Sequence, residues 1–120
     1  MATDKVILRD AKPAGADLHE KQFTLVKIST SNTIVAAASG DRAYVLDSTP
    51  KKGEAATYVL AGITKVKLGG TVKAGELVVC NNAALGVAAK GSAQPVVGQA
   101  LEEGESGTII SVVTPVGSTA

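Results

Sequence analysis

Histidine, cysteine and clustered carboxylates are the side chains best able to move protons, attack a substrate or hold a metal. This 120-residue sequence has one histidine, His19, and one cysteine, Cys80. His19 stands beside Asp17 and Glu20 in a polar stretch and reads as a solvated position. A single imidazole excludes any two-histidine metal site. Cys80 closes the apolar run Leu77 to Cys80 and reads as a structural thiol in or beside a strand. Being alone, it forms no internal disulfide. Glu102, Glu103 and Glu105 crowd one segment. Calcium loops add Asp and Asn at set spacing, so this cluster reads as a solvated hairpin loop. Lys51-Lys52 reads as a loop tip, with contact to an acidic partner surface as the alternative. No Ser or Thr lies in a strand–turn–helix nucleophile motif. Gly69-Gly70 lacks the following helix and Lys-Ser/Thr of a phosphate loop. This inventory predicts no catalytic residue, no metal and no cofactor: a protein that is not an enzyme.

The elements around these residues are short. Apolar runs are separated by turn residues about every ten positions, which predicts an all-β domain. The runs are Phe23 to Ile28, Ile34 to Ala38, Ala43 to Leu46, Thr57 to Leu60, Leu77 to Cys80, Gly86 to Ala89, Val96 to Leu101 and Thr108 to Val113. Lys90-Gly91 ends one of them. Thr64 to Leu68 alternates polar and apolar, and Gly69-Gly70 reads as a hairpin turn into Thr71-Val72. Phe23, Tyr44 and Tyr58 are the only aromatics, so Val, Ile, Leu and Ala must build the core. Leu77 and Val79 share one face of their run, and Val78 takes the other.

The first stretch differs. Residues 5–9 form one possible short strand, and residues 10–20 carry Pro13, Gly15 and several charges. Such a segment buries too little surface to offset its ordering entropy. Residues 1–22 are therefore expected to be an N-terminal arm and residues 23–120 the β domain. A helical turn within residues 14–22 is only weakly signalled.

An internal duplication is also legible. Val35-Ala-Ala-Ala-Ser-Gly40 resembles Val87-Ala-Ala-Lys-Gly91, and Tyr44 to Leu46 with its loop to Gly53 resembles Gln99 to Leu101 with its loop to Gly107. The offset is about fifty residues, near the upper end of repeat periods. Two copies predict one small β-barrel or β-sandwich with approximate internal symmetry.

Formal net charge is +1 with no basic stripe, so a nucleic-acid partner is not expected. No apolar segment approaches the ~20 residues of a membrane helix. Met1 to Lys5 lacks a signal peptide's apolar stretch, so synthesis in a reducing cytoplasm is expected.

The ordered series Gly40 to Leu46, Pro50 to Glu54, Gly62 to Val66, Val72 to Val78, Val96 to Glu102 and Gly107 to Val113 resembles capsid decoration (cement) proteins of tailed bacteriophages. Phe23 to Leu46 is similar in pattern to the central strands of lambda-like head decoration proteins. The resemblance implies a β-tulip-like body and a structural protein that binds the outer surface of a phage head. There it would stabilise contacts between major capsid subunits, its partner being the major capsid protein, in a homo-oligomer with a trimer favoured. Localisation on the virion is implied, after synthesis in the host cytoplasm. It also implies that the arm meets the shell, with Lys5, Val6, Ile7, Leu8 and Arg9 as contact residues. Another virion module, such as a fibre or spike base, is an alternative. So is a small β-barrel binding or accessory domain, because Val72 to Val78 resembles turns in carrier and hammerhead barrels. The carrier version needs a modifiable lysine beside a Met, and Met1 is the only Met.

Overall fold

The computed structural model describes residues 5–89 and 94–114. Residues 1–4 of the expected arm, the Lys90-Gly91 turn and residues 115–120 of the expected β domain lie outside the described residues. Among the described residues there is no helix, and the chain forms β1 (Lys5–Pro13), β2 (Leu25–Ile28), β3 (Ile34–Ala36), β4 (Tyr44–Leu46), β5 (Ala55–Lys67), β6 (Leu77–Cys80), β7 (Gly86–Ala88), β8 (Val96–Ala100) and β9 (Ile109–Thr114). The all-β expectation holds. The strands join one curled, half-barrel sheet in the order β3-β2-β4-β5-β9-β8-β6-β7, with β1 paired to β5 outside that path.

The duplication is visible in the backbone. Ser29 N–H donates to Thr33 O at 2.8 Å, and 52 positions later Asn81 N–H donates to Leu85 O at 3.0 Å. Thr24 N–H to Lys21 O repeats as Glu76 N–H to Lys73 O, both 3.1 Å. Asp47 N–H to Thr57 O repeats 54 positions on as Leu101 N–H to Ser111 O. Side chains follow: Thr57 N–H bonds Ser48 Oγ, and Ser111 N–H bonds Glu102 Oε2. The pairing of β1 with β5, Pro13 opposite Ala55, recurs as Lys67 opposite Ile109. Each repeat is therefore one unit of five strands, and β5 is the last strand of the first fused to the first strand of the second.

That fusion corrects the expected break between Thr57–Leu60 and Thr64–Leu68. The intervening Gly62 has φ +123°, a conformation that L side chains avoid, and a Cβ there would lie 2.6 Å from Ile7 N and Lys5 O. Glycine lets β1 cross close over β5 and the strand continue. The Gly69-Gly70 hairpin does not form either. Leu68 bridges Gly86 in parallel and Gly69 N–H donates to Gly86 O at 2.8 Å, which leads the chain away from β5.

The expected arm also differs. β1 runs on to Pro13 and lies along β5, while Ala14 and Leu18 are buried. Ala14 N–H and Leu18 N–H donate to Glu54 O and Pro50 O, which ties the stretch after β1 to the body. Local composition is polar there, but Ala14 and Leu18 find partners distant in sequence.

Two apolar clusters make the core. One lies within the first repeat: Ala14, Leu18, Val26, Ile34, Leu46, Ala56 and Tyr58. The other joins the repeats, setting Leu25, Val45 and Val59 with Val66, Leu68, Val78, Ile110 and Val112. In β6, Val78 and Val79 are both buried and Leu77 only half-buried, so the core uses both faces of that strand.

Candidate functional site

The residues singled out for chemistry are not brought together. Nδ1 of His19 lies 2.7 Å from Asp17 and Nε2 lies 3.6 Å from Glu20, all on the surface. The hydrogen bond from His19 holds the Asp17 carboxyl below its ordinary range. Cys80 is buried, its thiol donates to Asn81 O at 3.2 Å, and burial pushes its pKa up to about 11. A thiol so protonated is a poor nucleophile. Glu102 accepts from Ser111 N–H, which lowers its pKa and gives it a structural task. Lys51 stands at an exposed tip where Glu54 caps its N–H at 2.7 Å. Among the described residues no group of three or more His, Cys, Asp or Glu could hold a metal.

Surface grooves lie beside several of these residues. One of about 400 Å³ is bordered by Ser39, Thr71, Asn81 and Asn82, and one of about 430 Å³ by Glu20, Lys21, Lys67 and Ala84. Neither gathers a proton-transfer pair or a nucleophile with its base.

The five expected contact residues sit on β1, antiparallel to β5 from Lys5 opposite Ile63 to Pro13 opposite Ala55. The register slips between Val6 and Leu8 and again between Leu8 and Arg9. This irregularity turns Ile7 and Leu8 outward, leaving them 83% and 53% exposed, while Val6 packs against the larger cluster. Arg9 Nε meets Asp47 Oδ2 at 2.5 Å, so its charge is partly engaged on the body. Asp10 accepts from Ala11 N–H at 2.8 Å and from Tyr58 O–H at 3.1 Å, fixing the middle of the strand. β5 is the only strand β1 pairs with among the described residues, so β1 carries a free edge. An unpaired edge flanked by two exposed branched side chains is a template for strand addition.

A second exposed apolar group was not foreseen. Leu101 and Ile109, 46% and 41% exposed, lie on the second repeat. Leu101 closes an expected strand and Ile109 is the second residue of another, Thr108 to Val113, and alternation alone did not reveal that both point outward.

No family model matches the chain, and no curated protein matches it. Among solved structures, the fold is similar to the N base of the head fibre protein gp8.5 of bacteriophage phi29. The TM-score is 0.71 and the identity 22%, over 90% of this chain and 93% of that one.

Proposed function

We propose that this chain is a structural protein of a tailed-phage head, a decoration protein that binds the outside of the shell and braces neighbouring major capsid subunits. The observation that carries the reading is the similarity of fold, over nearly the whole of both chains, to a protein named as the base of a phage head fibre. The ordered motif series supports the decoration role, and described residues that gather no group able to hold a metal suit a non-enzymatic one.

In this reading β1 is the shell-facing element. Its free edge adds to a strand of the major capsid protein, and Ile7 and Leu8 supply apolar contact. The protein acts as a homo-oligomer, with a trimer favoured, so that modest contacts sum through multivalency. It engages neither nucleic acid nor membrane. Because the fold neighbour is itself a fibre base, a second reading is that this body anchors a fibre to the head.

The test is to mix purified protein with undecorated capsids of the same phage and sediment them. Saturable co-sedimentation is expected. No binding at saturating protein would overturn the decoration reading.

A further inference from the structure

Internal repetition allows each surface of the second repeat to be compared with its counterpart in the first. In the first repeat a row of paired residues crosses four strands: Arg9 opposite Val59, Val59 opposite Val45, Val45 opposite Leu25. Directly paired residues share a face of the sheet. Leu25, Val45 and Val59 are at most 1% exposed, because the second repeat covers them. Leu25 N–H donates across to Ala84 O at 2.8 Å.

The matching row in the second repeat is Ile63, Val113, Gln99 and Leu77, paired in the same order. All four are half-buried, and among the described residues no further unit of the repeat covers them. In the first repeat Arg9, at the end of the row, forms an ion pair with Asp47 beside it. The same places in the second repeat hold Ile63 and Leu101. Ala55 in the first becomes Ile109 in the second, and both Leu101 and Ile109 are exposed. Gln99, the row's polar member, turns its amide back onto Gly75 O at 3.0 Å. The uncovered face is thus more apolar at its margin than the covered one. Clustered exposed apolar side chains mark interaction sites.

We propose that this face of the second repeat, centred on Leu77, Val113, Leu101 and Ile109, is a self-association surface, and that its occupant is a second copy of this chain. The choice of occupant comes from the molecule itself, which already covers the equivalent face with a unit of its own kind. A contact between different faces of two copies is heterologous and closes as a ring when the rotation allows. The proposal rests on the homo-oligomer part of the reading above and not on its capsid part.

Analytical ultracentrifugation of the full chain without capsids tests it. The wild type is expected to sediment as an oligomer. Leu101→Asp with Ile109→Asp should sediment as a monomer with an unchanged melting temperature, while Leu8→Asp on β1 should leave the oligomer intact. A monomeric wild type up to its solubility limit would overturn both the surface and the homo-oligomer reading. An oligomer unaffected by Leu101→Asp with Ile109→Asp would overturn the surface alone. Loss of capsid co-sedimentation with unchanged self-association would instead assign the face to the shell and overturn the proposal.

Discussion

Phe23 and Gly75 hold the same place in the two repeats: both have positive φ, 69° and 87°, and each donates its N–H at 2.8 Å, to Leu46 O and Ala100 O respectively. The turn geometry is thus a property of the repeat, and glycine relaxes it in only one copy. Phe23 sits in the left-handed region with the Lys65 ammonium 5.6 Å from its ring centre. Gly75→Ala should cost ~1–2 kcal/mol, since a left-handed L-residue is strained by that amount. No heavy atom lies within 4 Å of the new Cβ, so the loss is backbone strain alone. A urea melt with an unshifted midpoint would contradict the shared geometry.

Gly62 carries a different prediction. A side chain there collides with the backbone of β1 at Lys5 and Ile7. Gly62→Val should loosen β1 from β5 and raise amide hydrogen exchange along residues 5–9, with the rest of the core less affected. Exchange rates in β1 matching the wild type would show that β1 does not depend on that close approach.

Thr64 offers a stabilising change. Its Oγ1 is buried without a hydrogen-bond partner among the described residues, and the residue is fully buried. An unsatisfied buried hydroxyl costs ~1–3 kcal/mol, and Thr64→Val removes it at nearly constant shape. The melting temperature should rise, and a fall would mean the hydroxyl has a partner in solution.

Protonation sets both edges of the stability profile. The Asp10, Asp17 and Asp41 carboxyls are held below 3.8 by N–H and side-chain donors, led by Ala11 N–H, the His19 side chain and Ala38 N–H. Their folded pKa values lie below the unfolded ones, so their contribution is present above pH 3.8 and is lost as pH falls through the lower folded values. Cys80 has the opposite sign. Its pKa rises from 9.0 to about 11 on folding, so its contribution is complete below pH 9 and is lost as pH rises towards 11. Iodoacetamide at pH 8 should label Cys80 only after unfolding, and labelling of the native protein at the rate of a free thiol would contradict its burial.

Much of this was legible in the sequence, and the exceptions have physical causes. The strands from Leu25 to Val113 followed from branched runs between turn residues, and the repeat from Val35-Ala-Ala beside Val87-Ala-Ala. Gly62 misled because it reads as a break, whereas in the fold it admits β1 and the strand continues, and Gly69 misled because it packs against Asn81 and Leu85 after the end of β5 instead of turning a hairpin. Ala14 and Leu18 were hidden because their burial depends on Ile34, Ala56 and Tyr58, far along the chain. The outward face of Leu101 and Ile109 was hidden because exposure there is set by how the two repeats stack, which local alternation does not show. Ile7 and Leu8 fell within the expected contact segment, but the bulge that exposes both depends on how β1 pairs with β5.

The central claim is a place on the head of a phage, and electron cryo-microscopy of the virion that carries this chain tests it most directly. The account predicts density for this curled β-sheet body on the outer surface of the head, with β1 against the major capsid protein. Density confined to the tail, or a head surface bare of this fold, would contradict it.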